Sequence, residues 1–347
     1  MTTEEVDVTR AVPRLVRSGH LRELWLVVVL ALLAVLCGLS ISVGTRDTAW
    51  SDILAALSGQ TDTIAQAAVS LRIPRTLLAV LAGASLGVSG AVMQGVTRNP
   101  LADPGILGVN TGATLAVVVG IAWFGMSAPD AFVWTAILGA GCSAVFVYTI
   151  GSLGRGGATP LKLALAGAAT SIAFSSLVIA VILPRNDIAG GIQAWQIGGV
   201  GGATLERTLS ILPFLAVGAM VSFLCARKLN LLALGDDLAA GLGERVVVAR
   251  VTAATGAILL CGASTAVCGP IGFLGLVVPH CCRLLVGIDH RWTLPFSGLV
   301  GACLLLAADI LGRIVARPAE LDVGIVTAMI GAPVFIWIVR KRRVREL

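Results

Sequence analysis

Long apolar runs, separated by short charged or turn-forming segments, dominate the chain from end to end. A helix that crosses the bilayer core, about 30 Å thick, needs roughly 20 mostly apolar residues. The runs are continuous rather than alternating, which predicts helices and not a barrel. Their approximate spans are 24–44, 76–96, 105–125, 131–151, 163–183, 208–226, 246–268, 271–287, 295–315 and 325–340. The eighth span is the least regular, because Pro270, Pro279 and several glycines interrupt it.

Basic residues are distributed unequally over the connecting segments. With the N-terminus inside, the inner segments hold 18 of the 25 Lys and Arg residues and the outer segments hold the other seven. Short cytoplasmic loops retain positive charge, so both termini are predicted to be cytoplasmic. The predicted organisation is a tail at 1–23, a membrane domain at 24–340 and a second tail at 341–347. For the basic cluster at 340–345 this charge rule is favoured over a nucleic-acid or lipid-headgroup role.

Composition supports the membrane assignment. Hydrophobic residues make up 57% of the chain and charged residues 13%, with a mean hydropathy of +0.94, whereas soluble proteins carry about a quarter charged residues. The sequence therefore predicts an all-α membrane protein, a polytopic bundle of about ten transmembrane helices. The eight cysteines predict no metal site, because no C-x-x-C occurs and the neighbours His280, Cys281 and Cys282 point in different directions on a helix.

Two further observations limit the chemistry. A phosphate-binding loop needs Gly-Lys-Ser/Thr, but the lysines Lys162, Lys228 and Lys341 follow Leu or Arg, so this chain is predicted not to hydrolyse ATP. Asp309 is the one acidic residue clearly inside a predicted span, and Arg313 follows one helical turn later. The favoured interpretation is a structural ion pair on one helix face. A proton-coupled transporter would need more buried acidic or His residues.

An internal repeat is predicted from two glycine-rich segments. Residues 83–90 and 262–269 match at five of eight positions, and the predicted topology runs the two helices in opposite directions. This indicates an inverted repeat that relates spans two to five to spans seven to ten. A chance match between small residues is the alternative.

The inner loop at about 227–245 carries a short amphipathic pattern. Asp236 and Asp237 suit a helix start and Gly243 suits a stop. Its apolar residues recur at helical spacing: Leu231, Leu234, Leu238 and Leu242. An exposed apolar face needs a partner; the alternative is that it lies on the protein's own helix ends or on the membrane surface.

Several motifs, taken in order, carry a family resemblance. The longest is the loop Arg98-Asn99-Pro100-Leu101-Ala102-Asp103-Pro104-Gly105-Ile106-Leu107-Gly108-Val109-Asn110-Thr111-Gly112. The others are Leu71-Arg72-Ile73-Pro74-Arg75-Thr76, Gly90-Ala91-Val92-Met93-Gln94, Gly269-Pro270-Ile271-Gly272-Phe273-Leu274-Gly275-Leu276, Pro279-His280, Asp289-His290-Arg291, Ala308-Asp309-Ile310 and Gly331-Ala332-Pro333-Val334-Phe335. Together, over residues 20–343, the chain resembles the FecCD family, the permease subunits of binding-protein-dependent ABC importers for iron chelates and cobalamin.

The resemblance implies partners and a power source. Such a permease pairs with a second permease subunit, two cytoplasmic ABC ATPase subunits and an extracytoplasmic substrate-binding protein. The ATPase subunits, and not this chain, would use ATP and Mg²⁺, so no cofactor is expected here. The resemblance also implies that the loop at 227–245 couples to the ATPase through Leu231, Leu234, Gly235, Asp236, Asp237, Leu238, Gly241 and Leu242.

The resemblance further assigns docking and pathway residues. Arg72 and Arg75, placed just outside the second span, and Arg313 are implied to dock the binding protein through salt bridges. Interfacial anchoring is the alternative for the first two, and pairing with Asp309 for the third. Pathway or gate positions are implied at Thr159, Pro160 and Leu161 on the inner link that begins at Ala158, and at Gln193, Trp195 and Gln196 on the outer side, where Trp195 could equally be an interfacial anchor.

The function predicted from these features is translocation of a ferric siderophore across the bacterial cytoplasmic membrane by an ABC importer. The composition of residues 289–292 resembles ferric-siderophore members more than cobalamin members. Three alternatives stay open: a cobalamin or haem importer, a self-powered secondary transporter, and an inactive copy paired with an active paralogue.

Overall fold

A computed structural model describes residues 19–44, 48–105, 108–153 and 159–343. Every regular element in this part of the chain is an α-helix, which confirms the predicted fold class. In chain order the helices are α1 (Gly19–Ser42), α2 (Trp50–Leu57), α3 (Ile64–Thr97), α4 (Val109–Phe124), α5 (Pro129–Ser152), α6 (Pro160–Ile182), α7 (Asn186–Ile197), α8 (Leu205–Leu224), α9 (Ala226–Leu232), α10 (Asp236–Gly241), α11 (Val246–Cys268), α12 (Leu274–Val286), α13 (His290–Val315) and α14 (Val323–Arg343).

Ten of these helices correspond in order to the ten predicted spans. Seven are long and apolar enough to cross a membrane, and three shorter apolar helices, α4, α12 and α14, complete the set. Below, inner and outer follow the orientation predicted from the basic residues. Parts of the predicted tails, residues 1–18 and 344–347, lie outside the described residues, as do the loop residues 106–107 and Ala158 of the inner link.

Helix α3 begins much earlier than predicted. The second span was expected at 76–96, but the helix starts at Ile64, so Arg72 and Arg75 lie within it rather than just outside it. The reason is a capping box: the Thr63 side chain accepts a hydrogen bond from the Gln66 backbone N–H, and the Gln66 side chain accepts one from the Thr63 backbone. Pro74 is accommodated inside the helix.

Helix α3 is the centre of the bundle, and small residues let its neighbours approach closely. It is buried along most of its length and packs against α11, α12 and α13. A Cβ atom at Gly90 would clash with the backbone of Gly275 in the first turn of α12. A Cβ atom at Gly87 would clash with the Ser297 carbonyl oxygen on α13. Close backbone approach of this kind is typical of helix packing in membranes.

Helices α4 and α12 both begin inside the bundle rather than at one of its ends. Asn110, at the start of α4, accepts hydrogen bonds through Oδ1 from Cys261 Sγ at 3.0 Å and Thr265 Oγ1 at 3.3 Å, which lie in the outer half of α11. Gly275, at the start of α12, lies against Gly90. In the predicted inverted repeat, α4 corresponds to α12, α3 to α11 and α5 to α13. The contact of α3 with α13 therefore has its counterpart in the contact of α11 with α5, and both are present.

Backbone contacts join three elements at the outer end. The Gly199 N–H donates to the Cys268 carbonyl at 2.8 Å, which joins the chain after α7 to the end of α11. The Gly324 N–H donates to the Gly198 carbonyl at 2.8 Å, which adds the start of α14. Gly198 has φ 81°, a left-handed conformation that other residues adopt only at a cost. This junction fixes the position of α7 over the bundle.

Candidate functional sites at the two ends of the bundle

A buried ion network occupies the outer end of α3 and α13. Asp309 is 0% exposed and receives two hydrogen bonds on Oδ1 from Arg75, from Nε at 2.9 Å and Nη2 at 2.8 Å. Its Oδ2 lies 2.8 Å from Nη2 of Arg313, an ion pair without hydrogen-bond geometry. Arg75 Nη1 also donates to Glu320 at 2.6 Å. The predicted pairing of Asp309 with Arg313 is therefore present, within a larger network.

The same arginines also bind the end of α1. Arg313, 1% exposed, donates to the carbonyl oxygens of Ser40 at 2.8 Å and Val43 at 2.9 Å. Arg72, 7% exposed, donates from Nη1 to the Ile41 carbonyl at 3.1 Å and the Ser42 carbonyl at 2.9 Å. The last carbonyl groups of a helix have no hydrogen-bond donors within the helix. Here the guanidinium groups of Arg72 and Arg313 are the donors. The arginines thus fasten α1 to α3 and α13.

This geometry bears on the docking role predicted for Arg72, Arg75 and Arg313. All three side chains lie inside the protein, so a salt bridge with a partner protein would require them to leave these contacts. Glu320 is different, because its side chain is 38% exposed next to Arg75. Docking by these residues stays a prediction, and the contacts of Arg72 and Arg313 with the end of α1 could not be inferred from the spacing of the charges.

The inner loop folds into two short helices, α9 and α10, instead of one amphipathic segment. Helix α10 begins at Asp236 and the chain turns at Gly243 (φ 86°), as the sequence predicts. Leu234, Leu238 and Leu242 are 54%, 62% and 64% exposed. The alternative in which the protein's own helix ends cover this leucine face is therefore wrong for these three residues. Leu231 differs, since it lies half-buried on α9.

Asp236 forms ion pairs with other residues of this chain and is not an isolated surface charge. Its Oδ1 accepts a hydrogen bond from Arg250 Nη2 at 2.8 Å and lies 3.2 Å from Arg98 Nη2. Arg98 is the residue after the last turn of α3, and Arg250 lies one turn into α11. The carboxylate therefore connects α10 to the inner ends of two central helices. Asp237, its neighbour, is exposed.

Helix α9 is anchored to the start of α13. Leu229 and Leu232 are fully buried, and Asn230 accepts hydrogen bonds through Oδ1 from the His290 backbone at 2.9 Å while its amide donates to Asp289 at 2.6 Å. Burial alone would raise the pKa of Asp289. Hydrogen bonds from the Arg291 backbone and the Asn230 amide outweigh this, and its pKa lies below the ordinary value. The loop is held in place at both of its helices.

The predicted outer pathway residues lie on α7. Gln193 is exposed, whereas Trp195 and Gln196 are half-buried. Gln196 faces a cavity of about 150 Å³ lined also by Thr111, Thr114, Ser175 and Pro270. Its Nε2 atom is buried without a hydrogen-bond partner in the described part of the chain. A buried amide donor of this kind costs free energy unless something polar reaches it.

The predicted inner gate lies at the start of α6. Thr159 caps this helix by accepting a hydrogen bond from the Lys162 backbone N–H at 3.3 Å, and Pro160 occupies the first helical position. Leu161 is 70% exposed. These contacts explain why the helix begins here. The gating role of the three residues stays a prediction.

Comparison with known proteins assigns the family. A model of the FecCD transport family matches residues 32–341. This chain belongs to the FecCD family. It is 40% identical over 320 residues, 91% of the chain and 96% of the relative, to the probable siderophore transport system permease protein YfiZ of Bacillus subtilis. It is 42% identical over 315 residues, 90% of the chain and 94% of the relative, to the ferric enterobactin transport system permease protein FepD of Escherichia coli.

A solved structure supports the same fold. A protein described as a metal-chelate type ABC transporter in an inward-facing conformation superposes with a TM-score of 0.78 at 29% identity, covering 92% of this chain and 99% of the other. This FecCD chain is a multi-pass protein of the cytoplasmic membrane with a transport role. The family resemblance predicted from the sequence is confirmed, and the matched residues, 32–341, fall within the predicted 20–343.

Proposed function

We propose that this chain is the permease subunit of an ABC importer that moves ferric siderophores across the cytoplasmic membrane. The observation that carries the proposal is its similarity, over about nine-tenths of its length, to permeases of siderophore transport systems. The chain works with a second permease subunit, identical or paralogous, with two ATPase subunits inside and with a binding protein outside. The ATPase subunits use ATP and Mg²⁺, and this chain contributes no ATP-hydrolysing site.

At the inner end, the exposed leucine face of α10 meets the ATPase. Leu234, Leu238 and Leu242 provide apolar area, and Asp237 provides an exposed charge beside it. Burial of exposed apolar side chains is the main source of free energy in such a contact. Asp236 acts differently, because its ion pairs with Arg98 and Arg250 transmit displacement of α10 to α3 and α11. This arrangement supports the coupling role of the loop.

At the outer end, the binding protein meets the surface around the buried arginine network. Glu320 is the exposed member of the network, and Arg75 lies directly below it. An acidic partner residue that approached this surface would compete with Glu320 for Arg75. Exposed ion pairs contribute about 0 to 1 kcal/mol each, so these contacts set orientation and encounter rate more than affinity.

The cargo passes the cavity at Gln196. The amide donor of this residue, which has no hydrogen-bond partner among the described residues, and the cavity-lining Thr111 and Ser175 offer polar contacts to an oxygen-rich chelate. Trp195 and Gln193 lie on the same helix, α7. Weak contacts suit a transport pathway, since a cargo that bound tightly there would not leave.

Uptake into liposomes tests the proposal. Proteoliposomes that contain this chain, its partner permease, the ATPase subunits and ATP should accumulate an iron-55-labelled siderophore when the binding protein is present. Omitting the ATPase subunits should abolish accumulation. Accumulation without them would instead identify a self-powered secondary transporter. Accumulation of labelled cobalamin or haem in preference to the siderophore would assign the other cargo class.

The inactive-copy alternative is tested at the leucine face. Leu234→Asp should prevent the ATPase from co-purifying with the permease, because it places a charge in the apolar contact. Leu153→Asp is a matched control, since Leu153 is 68% exposed directly after the inner end of α5 and lies outside α10. Unchanged co-purification of the Leu234 variant would remove this chain from the coupling role.

A further inference from the structure

A groove opens between the inner halves of α3, α5 and α11. It encloses about 300 Å³, a volume in the range of small-molecule sites. Its walls are mainly apolar and include Met93, Val145, Leu163, Val251 and Ile258. Val145 and Val251 are 67% and 61% exposed, so the groove opens outward and not into the core. Because the groove lies on the outer surface of membrane-spanning helices, we expect it to be next to lipid.

The inner end of the groove is strongly polar. Arg98 and Arg250 line it together with Tyr148, Thr97 and Thr149. The side chains of Arg98 and Arg250 are 41% and 26% exposed. Tyrosine and arginine are typical of the level at which lipid headgroups meet the apolar core. The groove therefore changes from apolar to basic towards the inner end of the bundle, in the same order as a phospholipid changes from acyl chain to phosphate.

The charge at this end exceeds what the protein itself neutralises there. Two guanidinium groups share one carboxylate, that of Asp236, whose Oδ1 contacts a single nitrogen of each. A guanidinium group carries five N–H donors in a planar fork that suits phosphate oxygens. Among the residues that the structure describes, this cluster of two guanidinium groups and one carboxylate carries one net positive charge. Basic pockets between transmembrane helices on the cytoplasmic side are typical binding sites for anionic headgroups.

We propose that this groove binds an anionic phospholipid of the inner leaflet. The phosphate group lies at Arg98 and Arg250, and one acyl chain follows the apolar wall towards Ile258. Tyr148 lies at the level of the headgroup. The site is distinct from the cargo cavity at Gln196 and does not depend on which chelate the importer carries. Because the two arginines also hold Asp236, the bound lipid shares its ligands with the connection to α10.

Native mass spectrometry of the full-length chain, with any partner chains that co-purify, tests the proposal. The probes are phosphatidylglycerol and phosphatidylcholine with the same acyl chains. The unsubstituted protein should retain phosphatidylglycerol selectively. The variant Arg98→Gln with Arg250→Gln should bind it about thirtyfold more weakly, while phosphatidylcholine binding stays unchanged. The matched control Arg227→Gln with Lys228→Gln removes two charges from the same end of the molecule outside the groove, and it should behave like the unsubstituted protein.

A second variant protects the test against misfolding of the first. Ala254→Phe fills the groove and leaves both arginines in place, so it should also lose selective retention. Equal retention of the two lipids by the unsubstituted protein would overturn the proposal. Retention of phosphatidylglycerol by the Ala254 variant at the unsubstituted level would do the same. Chemical cross-linking of Tyr148 or Val251 to a second copy of the chain would assign the groove to a protein contact instead.

Discussion

Asp309→Asn tests the buried network at the outer end of α13. The substitution keeps the shape of the side chain and removes its charge. Asp309 is fully buried, and its two oxygens meet the guanidinium groups of Arg75 and Arg313, whose side chains are 12% and 2% exposed. An asparagine can accept a hydrogen bond from one of them and cannot neutralise either. Arg313 would therefore stay in a low-dielectric site without its carboxylate partner, and Arg75 would keep only the partly exposed Glu320.

The expected cost follows from the burial of these partners. Removing one member of a buried ion pair typically destabilises a protein by about 3 to 5 kcal/mol, because the remaining charge is desolvated without compensation. Glu320→Gln provides the control: it removes a partner of the same Arg75 that is 38% exposed, and should cost about 0 to 1 kcal/mol. Asp309→Leu combined with Arg313→Met should cost less than the sum of the two single changes.

The free energy of unfolding can be measured by titrating the detergent-solubilised protein with sodium dodecyl sulfate and following helix content by circular dichroism. A thiol-reactive dye gives an independent signal, because Cys261, Cys268 and Cys282 are buried and react only after unfolding. A loss below about 1 kcal/mol for Asp309→Asn, equal to that of the Glu320 control, would refute the assignment of Asp309 as the counter-ion of the network.

Three further predictions concern the inner end and the core of the bundle. Asp236→Asn should leave ATPase co-purification intact but lower transport per ATP hydrolysed, whereas Asp237→Asn should weaken co-purification; identical behaviour of the two variants would contradict their separate roles. Gly90→Ala should destabilise the fold by about 1 to 3 kcal/mol, because the methyl group would clash with the backbone of α12, while Gly38→Ala, which meets open space, should be neutral or slightly stabilising in the same unfolding titration. Gln94→Met should cost about 1 to 3 kcal/mol, since its amide donates to a carbonyl group in the first turn of α12 at 3.0 Å and that group would lose its partner; an unchanged titration curve would count against it.

The spanning helices were predictable because each one pairs its own backbone polar groups within a single continuous apolar run. The order of all ten runs agrees with the structure, including the irregular eighth, which becomes the short α12. The start of α3 was missed, although a signal was present: Thr63 and Gln66 stand at capping-box spacing before an apolar run. The helices α2 and α7 were not predicted as helices, because 8 and 12 residues are too few to register as spans.

The environment of the charged residues was much less predictable. The pair Asp309 and Arg313 could be inferred, because four residues separate them on one helix. The contact of Arg75 with Asp309 joins residues 234 positions apart, and that of Arg98 with Asp236 joins the end of α3 to a distant loop. No local pattern encodes such contacts, since they depend on how the helices assemble. For this reason Arg72, Arg75 and Arg313, which look like surface residues in the sequence, proved to be largely buried.

The length of α3 gives the two ends of the molecule a direct mechanical connection. Its 34 residues extend for about 51 Å at 1.5 Å per residue, so one rod reaches from the outer ion network to the inner ion cluster. The close backbone contacts at Gly87 and Gly90 lie between these two ends and resemble a fulcrum. A tilt of about 5° around that point would move Arg75 by about 1.8 Å and Arg98 by about 1.2 Å, in opposite directions. A rigid-body tilt of α3 alone would therefore couple a displacement at the outer end of the molecule to one at the inner end.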